Sequence, residues 1–540
     1  MSVNEFWYIL VLTAVNEFLP HGSCNDDFAD WLTFSTEHPW RKTHMLTGFT
    51  ALVELLQLQV PVPAVRSEVV QGARRTRIDG DRVYEQYPPS YARGNAPFEH
   101  LRFGLRYEPI DLGVIAAFFR AVPKKEVEDW VRSEPTGKFA RRAWYLYELL
   151  MGATLDVPDA PRTGAVPILE PDLHITTPGF LVSRQRVVDN LLGNRDYCPL
   201  VRRTDALQES ALEELRKAVG AVVEQVDPMV LARAVQYLYT KETKSSFAIE
   251  CETPSPGRTE RFVDALSHAS EFDASRKEQF IRLQNMIVDA RYAQHDWRAV
   301  QNFVGQTASD WSERVHFVCP KPGDVPSLME GWMRMVERLQ KTGAHPIAAA
   351  AATAFGFVFV HPFEDGNGRI HRFLVHQTLG KLGFTPAGVL FPVSAAMLRD
   401  LAAYDRVLKN YSAAVMPFIE HHFDEERRLV VSNETAHLYR YPDLTVQSEY
   451  LVRCVRDTIE HDLKEEIGFI RVFDAAFKAM IEVVDMPNQR ASLLVRFILQ
   501  NDGKLSKAKR SHFPELADAE IERIELAAGI AAQQARTASK

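Results

Sequence analysis

The sequence predicts a mainly α-helical protein with few strands, and three observations support this. Apolar residues recur at helical spacing through most of the chain, as at Phe139, Trp144, Tyr147 and Met151, which we interpret as a core face. Strand-like runs occur only in short pairs bounded by turn residues. The 540 residues are 46% hydrophobic and 25% charged, the composition of an ordinary globular protein.

Length, charge and cysteine content restrict the class of protein. A chain of 540 residues predicts several domains. We place an N-terminal region, mixed and then mostly helical, at 1–235, a central domain at 236–425 and a C-terminal helical region at 430–540. The formal net charge of -8 does not favour nucleic-acid binding. The five cysteines form neither a CxxC pair nor a disulfide framework, which predicts a cytoplasmic protein.

Four segments outside the central domain carry weaker predictions. The apolar run Phe6–Val15 is too short to span a membrane, so we expect a buried helix, with a poor signal peptide as the minor alternative, and no membrane partner. Strand-like runs around Asp79-Gly80 predict a hairpin with a solvated face. The charged segment Asp424–Arg428 is interpreted as a helix end. The basic segment Lys504–Arg510 is interpreted as a polar connector, in preference to a helix-turn-helix-like module that contacts DNA or a partner.

The most informative stretch is residues 361–372, with the sequence HPFEDGNGRIHR. It follows an apolar run that ends at residue 360 and leads into a second helical pattern. The backbone amides of Gly366, Asn367 and Gly368 can form an anion-binding nest at the N-terminus of that second helix. Arg369 and Arg372 are three residues apart, so both side chains can reach an anion bound there.

Two further residues give the stretch a chemical role. Asp365, next to the nest, is a natural oxygen ligand for Mg²⁺ beside a polyphosphate. His361 precedes the loop and can deprotonate an attacking hydroxyl near neutral pH. Together these residues predict attack on a nucleotide phosphate. A helix N-cap with a surface arginine pair and a packed histidine is the structural alternative, and the number of matched roles at fixed spacing disfavours it.

Two other segments of the central domain are weak signals by themselves. Ser246 and Glu250 are four residues apart and share a helix face, a spacing that is also common on solvated helices. Residues 302–322 contain two short strand-like runs and end in Pro320-Lys321-Pro322, which predicts a hairpin. The free edge of such a hairpin can pair with an extended segment of a partner.

The stretch 361–372 matches, at every specified position, the HxFx[D/E]GNGRxxR signature of the Fic family, and the chain resembles this family over roughly residues 240–425. The resemblance implies a helical core with one β-hairpin, called the flap, near 302–322. It also implies a protein adenylyltransferase that transfers AMP from Mg-ATP to a hydroxyl group of a target protein and releases pyrophosphate. ATP is then the co-substrate, Mg²⁺ the cofactor, and the target is unidentified, with the protein itself among the candidates.

The resemblance also implies a role for individual residues. His361 is the general base, Asp365 binds Mg²⁺, and Phe363 is a buried anchor of the loop. Residues 366–368 hold the phosphates, while Arg369 and Arg372 bind the β- and γ-phosphates. In the flap, the residues implied to register the backbone of the target are Arg314, Val315, His316 and Phe317. Tyr404 is placed near the adenine.

Many members of the family carry an inhibitory helix with the pattern [S/T]xxxE[G/N], which Ser246–Glu250 fits within a predicted helix near 242–252. Cys251 replaces the usual Gly or Asn, which puts the C-terminal geometry of that helix in question. The resemblance implies that Glu250 pairs with Arg372, so that Arg372 cannot hold the γ-phosphate. The same Glu250 could instead align a water molecule for removal of AMP.

Other functions compete with AMP transfer. A Fic-like enzyme could use another nucleotide, phosphocholine or phosphate itself, although Gly368 leaves the nest open and so disfavours a phosphorylating relative. A non-catalytic regulator that binds nucleotide or DNA is a different class, and the intact His361 and Asp365 argue against it. The sequence does not identify the target, and it leaves open whether the protein is a homo-oligomer.

Overall fold

The computed structural model describes residues 45–79, 82–224, 226–307, 313–386 and 388–538. The predicted helix Phe6–Val15 lies outside these residues. Helices make up most of the described chain and the strands are short, so the predicted mainly α-helical class is confirmed. In the part of the chain that is described, no helix has the length and apolar character needed to cross a membrane.

The N-terminal part combines helices with two small sheets. Strand order in the first sheet is β1-β2-β4-β3, and β3 and β4 form the antiparallel hairpin predicted around Asp79. Trp144 and Tyr147 are buried, as expected for a core face. The elements are β1 Met45–Leu46, α1 Gly48–Leu55, β2 Val65–Val69, β3 Arg75–Asp79, β4 Arg82–Tyr87, α2 Pro97–Tyr107, α3 Leu112–Ala121, α4 Lys124–Ser133, α5 Lys138–Met151, β5 Val166–Pro167, β6 Phe180–Val182 and β7 Val187–Asp189.

The central part is built around one apolar helix, α11, which comprises Pro346–Val360. The residues of α11 are almost all buried, because its sequence is apolar on every face and can be accommodated only inside a core. The helix that follows it, α12, packs along it. The elements are α6 Glu209–Glu224, α7 Pro228–Ile249, α8 Pro256–Ser267, α9 Lys277–Ile287, β8 Phe303–Thr307, β9 Glu313–Val318, α10 Val325–Thr342, α11 Pro346–Val360, α12 Asn367–Lys381, α13 Val393–Arg399 and α14 Leu401–Val415.

The C-terminal part is helical except for one hairpin. A π-helical turn, Thr458–Asp462, joins two of its longer helices. In the basic segment, Lys504 pairs with Glu525 at 2.9 Å and Arg510 pairs with Asp518 at 3.0 Å. The elements are β10 His421–Phe423, β11 Leu429–Val431, α15 Ala436–Arg440, α16 Thr445–Asp457, α17 Leu463–Ile481, α18 Asn488–Gln500, α19 Lys507–Arg510 and α20 Asp518–Ala538.

The prediction for Asp424–Arg428 was wrong, because this segment is the turn of the β10–β11 hairpin and not a helix end. Arg427 has a φ of 59°, and the carboxylate of Asp424 accepts a hydrogen bond from the amide of Arg428 at 2.8 Å. An aspartate that bonds to nearby backbone amides stabilises a turn as readily as it begins a helix, and the short apolar runs on either side select the hairpin.

Three clusters of buried apolar residues hold the chain together. The largest extends from Ile175 to Ile470, the second lies within residues 49–200 and includes Tyr441, and the third lies within residues 472–532. The largest cluster therefore continues beyond residues 235 and 425, where we place the domain boundaries. Helices on both sides of the central domain contribute side chains to one continuous core.

Candidate active site

His361 lies where α11 ends. Its φ of 52° and ψ of 59° are left-handed, a conformation that ends a helix and turns the chain away from the helix axis. The amide of His361 still donates a hydrogen bond to the carbonyl of Phe357 at 2.9 Å. The loop of residues 361–366 therefore starts from a rigid, buried helix, and that helix fixes the position of the imidazole.

The imidazole of His361 is arranged to accept a proton. Its Nδ1 lies 3.2 Å from the carbonyl oxygen of Val358, so the proton is on Nδ1 and the lone pair is on Nε2. Burial, followed by the positive charge of Arg298, lowers the pKa of His361 to about 4. The ring is therefore neutral near pH 7, which is the form that acts as a general base.

The loop after His361 is braced from inside. Phe363 is fully buried, and its ring packs 5.0 Å from that of Trp297, as expected for an anchor. The side-chain amide of Asn367 accepts a hydrogen bond from the amide of Phe363 at 3.0 Å and donates one to its carbonyl at 2.8 Å. The side chain of Asn367 thus holds the loop closed, and its backbone amide stays available for an anion.

An anion-binding helix terminus follows. Gly366 has a φ of 90°, a conformation that favours glycine, and a Cβ at this position would also contact Val288 closely, at 3.0 Å. The first hydrogen bond of α12 runs from the amide of Ile370 to the carbonyl of Gly366. The amides of residues 367–369 therefore have no acceptor within the helix and can bind an anion together with the helix dipole.

The carboxylate of Glu250 lies between the two arginines of the motif. Its Oε1 is 2.6 Å from Nη2 of Arg372, so the predicted ion pair is present. Its Oε2 is 2.9 Å from Nε of Arg369, at an angle that makes the contact ionic and not a hydrogen bond. Burial lowers the pKa of Arg372, but the charges and hydrogen bonds of Glu250 and Tyr404 together outweigh burial and raise the pKa. Both guanidinium groups are fully buried.

The same carboxylate also covers the start of α12. A Cβ built on Gly368 would lie 2.3 Å from Oε1 of Glu250, a distance that no real side chain allows. The Glu250 carboxylate therefore occupies the space directly above the helix terminus, within reach of both arginines. A negatively charged protein group stands where this arrangement of amides and cations would bind an external anion.

A second carboxylate, which the sequence reasoning missed, acts on the first arginine. Oε2 of Glu252 lies 3.4 Å from Nη1 of Arg369 and 3.0 Å from Nη2 of Arg258. Arg258 and Arg369 also both donate to the carbonyl of Ile287. Arg369 is thereby held by Glu252, which lies between α7 and α8, and by the last residue of α9, as well as by Glu250. The only sequence signal for the role of Glu252 is that it lies two residues after Glu250.

Helix α7 carries Ser246 and Glu250 and is fixed to the core by buried polar contacts. The hydroxyl and the carbonyl of Ser246 accept hydrogen bonds from Arg372 at 2.8 and 2.7 Å. One turn earlier, the buried carboxylate of Glu242 lies 2.8 Å from Nε2 of His376 and accepts a hydrogen bond from the amide of Ser394 at 2.8 Å. These contacts fix α7 against α12 and α13.

Cys251 ends the α7 segment in the conformation that Gly or Asn usually adopts. Its φ is 55°, and the amide of the next residue donates to the carbonyl of Phe247 at 3.1 Å, as in a helix-terminating Schellman turn. The turn that places Glu250 therefore forms despite the cysteine. A left-handed conformation costs a non-glycine residue roughly 1–2 kcal/mol.

The predicted hairpin at 302–322 is present as β8 and β9, with a bulge between Val304 and Gly305. A groove of about 510 Å³ runs between the hairpin and α14 and reaches His361. The flap residues Arg314, His316 and Phe317 line it. Phe317 is buried against the core, and Val315 and His316 are half-buried, so Arg314 supplies the most accessible side chain.

Tyr404 lies deeper than its predicted role beside the adenine suggests. It is buried, its ring stacks 6.2 Å from those of His371 and Tyr450, and its hydroxyl interacts with Arg372. Burial, partly offset by the charge of Arg372, raises the pKa of Tyr404. The structure thus places Tyr404 behind the arginine that contacts Glu250.

Asp365 provides one carboxylate that fits a Mg²⁺ ion. Oδ1 accepts hydrogen bonds from the amide of Gly366 at 2.6 Å and from Arg369 at 2.8 Å. The side chain is partly exposed beside the helix terminus. Within the described residues, no group of three or more acidic, His or Cys side chains could form a complete metal cage. A single carboxylate suits Mg²⁺, which commonly completes its coordination with substrate phosphates and water.

This region is similar to known proteins. Residues 274–379 match the Fic/DOC family. A protein named protein adenylyltransferase Fic from Aedes aegypti is 26% identical over 224 residues, which are 36% of this chain and 42% of that protein. One of the same name from Drosophila mojavensis is 25% identical over 233 residues, 38% of this chain and 42% of that protein. The chain thus spans about two fifths of the length of these curated relatives.

Among solved structures, similar chains are a Fic family protein from Desulfovibrio desulfuricans G20 and a Fic domain containing signaling protein from Bacteroides thetaiotaomicron VPI-5482. The first has 15% identity and a TM-score of 0.36, covering 58% of this chain and 95% of that chain. The second has 18% identity and a TM-score of 0.35, covering 48% of this chain and 97% of that chain.

Proposed function

We propose that this chain is a protein adenylyltransferase, which transfers AMP from Mg-ATP to a hydroxyl side chain of a target protein. Residues 274–379 match the Fic/DOC family, and this match supports the proposal. Similar proteins named protein adenylyltransferase Fic support this activity at the level of the family. The proposal extends their activity to this chain on the basis of its own site residues.

The main support for the proposal is the position of His361 beside the anion site. A neutral, proton-accepting His361 lies on the same short loop as an anion site made of helix amides, Arg369 and Arg372, and a carboxylate already occupies that anion site. A buried pair of arginines without a compensating anion is costly, so a site built this way requires either Glu250 or an external polyphosphate. A helix end with a merely structural histidine does not need this arrangement.

The chemistry follows from these positions. Nε2 of His361 takes the proton of the target hydroxyl, whose oxygen attacks the α-phosphorus of ATP. The bond between the α-phosphorus and the oxygen that bridges to the β-phosphate breaks, and pyrophosphate leaves. The amides at the start of α12 and the two arginines hold the phosphates in line with the attacking oxygen. The site thus contributes mainly position and charge, as in other phosphoryl and nucleotidyl transfers.

Asp365 would hold Mg²⁺ through a carboxylate oxygen, with Arg369 fixing the orientation of that carboxylate. A bound Mg²⁺ neutralises charge on the phosphates. The remaining roles belong to residues of the chain. Asn367 keeps the loop closed, Phe363 anchors it, and His361 handles the proton.

In the conformation described, Glu250 blocks the reaction. Its carboxylate takes the place of the terminal phosphate at Arg372 and covers the amides at Gly368. ATP that binds under these conditions loses the in-line geometry on which the rate depends. Because α7 precedes the motif in the same chain, inhibition is intramolecular.

The groove between the hairpin and α14 is the docking place for the target. It reaches His361, it is bounded by a hairpin, and its lining combines apolar side chains with Arg314, Asp405 and Lys409. An extended segment that lies along the hairpin brings its hydroxyl to Nε2 of His361.

Radiolabelled ATP tests the proposal directly. The Glu250→Gly variant is incubated with Mg²⁺ and ATP labelled at either the α- or the γ-phosphate, with cell lysate as a source of targets. Transfer of AMP puts the α-label, and not the γ-label, into protein. Incorporation of the γ-label would show phosphorylation instead, and no incorporation of either label would contradict a transferase that uses ATP.

A further inference from the structure

Arg298 joins the loop of His361 to both ends of the hairpin. It lies between α9 and β8 and is only 2% exposed. Its Nε donates to the carbonyl of His361 at 2.8 Å, and its Nη1 donates to the carbonyl of Val300 at 2.8 Å. Its Nη2 donates to the carbonyl of Pro320 at 2.5 Å, and its backbone amide donates to the carbonyl of Pro362 at 2.8 Å.

These acceptors belong to different parts of the site. His361 and Pro362 start the catalytic loop, Val300 leads into β8, and Pro320 follows β9. With its side chain and its backbone amide, Arg298 therefore helps to set the distance between the imidazole-bearing residue and the hairpin. The side-chain amide of Asn302, also near the start of β8, adds a weaker bond to the carbonyl of Glu364 at 3.3 Å.

The charge of Arg298 is not explained by an ion pair. Among the described residues, no carboxylate lies within 4.0 Å of its guanidinium nitrogens. Burial lowers the pKa of Arg298, which means that the protein bears an energetic cost to keep this cation inside. Three carbonyl dipoles offset part of that cost, and the planar fork of arginine is the side chain that can reach three acceptors at once.

We propose that Arg298 is a positioning residue for AMP transfer, fixing His361 in register with the hairpin along which the target lies. This inference rests on the proposed function. Arg298 touches neither arginine of the anion site, so it acts on the base and on the target, and not on the nucleotide. The flap and the catalytic loop then move as one unit.

Substitutions in the Glu250→Gly background test this inference. Arg298→Lys keeps a cation but loses the fork, and Arg298→Gln loses both. Both variants should lower kcat by about 100-fold, the cost of a misplacement near 1 Å, and leave the KM for ATP unchanged. Lys321→Gln is the matched control. It removes a cation at the hairpin exit whose partner is Glu434, and it should leave both constants unchanged.

The pH profile separates positioning from a general loss of folded protein. The charged groups that act on the His361 ring are Arg298, which lowers its pKa, and Asp365, which raises it. Asp405 and Lys409 line the same groove as an ion pair at 2.6 Å. With its cation removed, Arg298→Gln should move the acidic limb of kcat upward from near pH 4, whereas Arg298→Lys should leave that limb in place.

Hydrogen exchange supplies the second readout. In Arg298→Lys, residues 300–320 and 361–366 should both exchange faster, while α12 should exchange at the rate of the parent. Normal kcat in both variants would overturn the inference, and so would faster exchange throughout the chain or failure of both to fold. Transfer that survives His361→Ala in the same background would instead overturn the proposed function, whatever Arg298 does.

Discussion

Glu250 contacts Arg369 as well as Arg372, with its Oε2 2.9 Å from the Nε of Arg369. The family resemblance implies only the pair with Arg372. Glu250 therefore contacts both cations of the anion site, and Arg369 is also paired with Asp365 and Glu252. Under the proposed autoinhibition, ATP can use both arginines only when Glu250 leaves both side chains.

Nucleotide binding should reflect this double contact. Glu250→Gly should bind ATP about tenfold more tightly than the wild type, because the triphosphate no longer competes with a carboxylate. Its affinity for adenosine should not change, since adenosine has no phosphate to place. Calorimetric titration of both ligands measures the difference. Equal gains for the two ligands would mean that Glu250 acts elsewhere.

Glu252 should act as a second, weaker inhibitor. Its carboxylate lies 3.4 Å from Arg369 and is partly exposed, so its removal should cost little stability. Glu252→Gln should raise transfer by about twofold to fivefold, and the double variant with Glu250→Gly should exceed Glu250→Gly alone. Glu337→Gln, which removes an exposed carboxylate paired with Lys341 on α10, is the control and should have no effect. If the double variant transfers AMP no faster than Glu250→Gly alone, Glu252 has only a structural role.

Cys251 gives a test of the turn that places Glu250. Its φ of 55° is accessible to asparagine but strongly unfavourable for a β-branched residue. Cys251→Val should disturb the turn and raise transfer by about tenfold, and Cys251→Asn should keep transfer at the wild-type level. Both variants change the same exposed side chain, so equal rates would show that the turn does not control Glu250.

The pH dependence of transfer should be that of a depressed histidine. The pKa of His361 is lowered to about 4, and only the neutral ring accepts a proton. The rate of the Glu250→Gly variant should therefore be nearly constant from pH 8 to pH 6 and fall only as the pH approaches 4. A midpoint near 6.5, the ordinary value, would mean that the ring is exposed in the active state.

The stability of the folded protein should also decrease as the pH falls. His345 and His371 are buried as well, and burial lowers their pKa values to about 4 and about 3. Unfolding returns these rings to an ordinary pKa, so below about pH 6.5 the unfolded state binds more protons than the folded state. The thermal midpoint should therefore fall as the pH drops from 6.5 to 4. Glu108 and Asp111 are buried with pKa values raised to about 8 and about 6, so they act in the opposite direction, and a midpoint that rises over this range would contradict the dominance of the histidines.

Much of the site could be predicted from the sequence because it is local. Residues 361–372 form a loop and a helix start, where residues that are close in sequence are also close in space, so the local positions of the amides, Asp365 and the arginines follow from their spacing. The roles of these residues stay predictions. The helix and hairpin content follows for the same reason, since periodicity and turn residues act over short distances.

The unpredicted parts depend on contacts between distant segments. Glu242 meets Ser394 across 152 positions, and Arg298 meets His361 across 63. No local pattern marks either residue, because a buried polar side chain takes its meaning from the acceptors around it. The β10–β11 hairpin was missed because its strands have only three residues each, too few to show alternation.

The central claim is that His361 drives AMP transfer and Glu250 restrains it. The most direct measurement is mass spectrometry of protein incubated with Mg-ATP, comparing wild type, Glu250→Gly, His361→Ala and the double variant. The account predicts AMP on protein for Glu250→Gly, little for the wild type and none for either variant that lacks His361. AMP on protein in the double variant, or equal amounts in the wild type and Glu250→Gly, would contradict it.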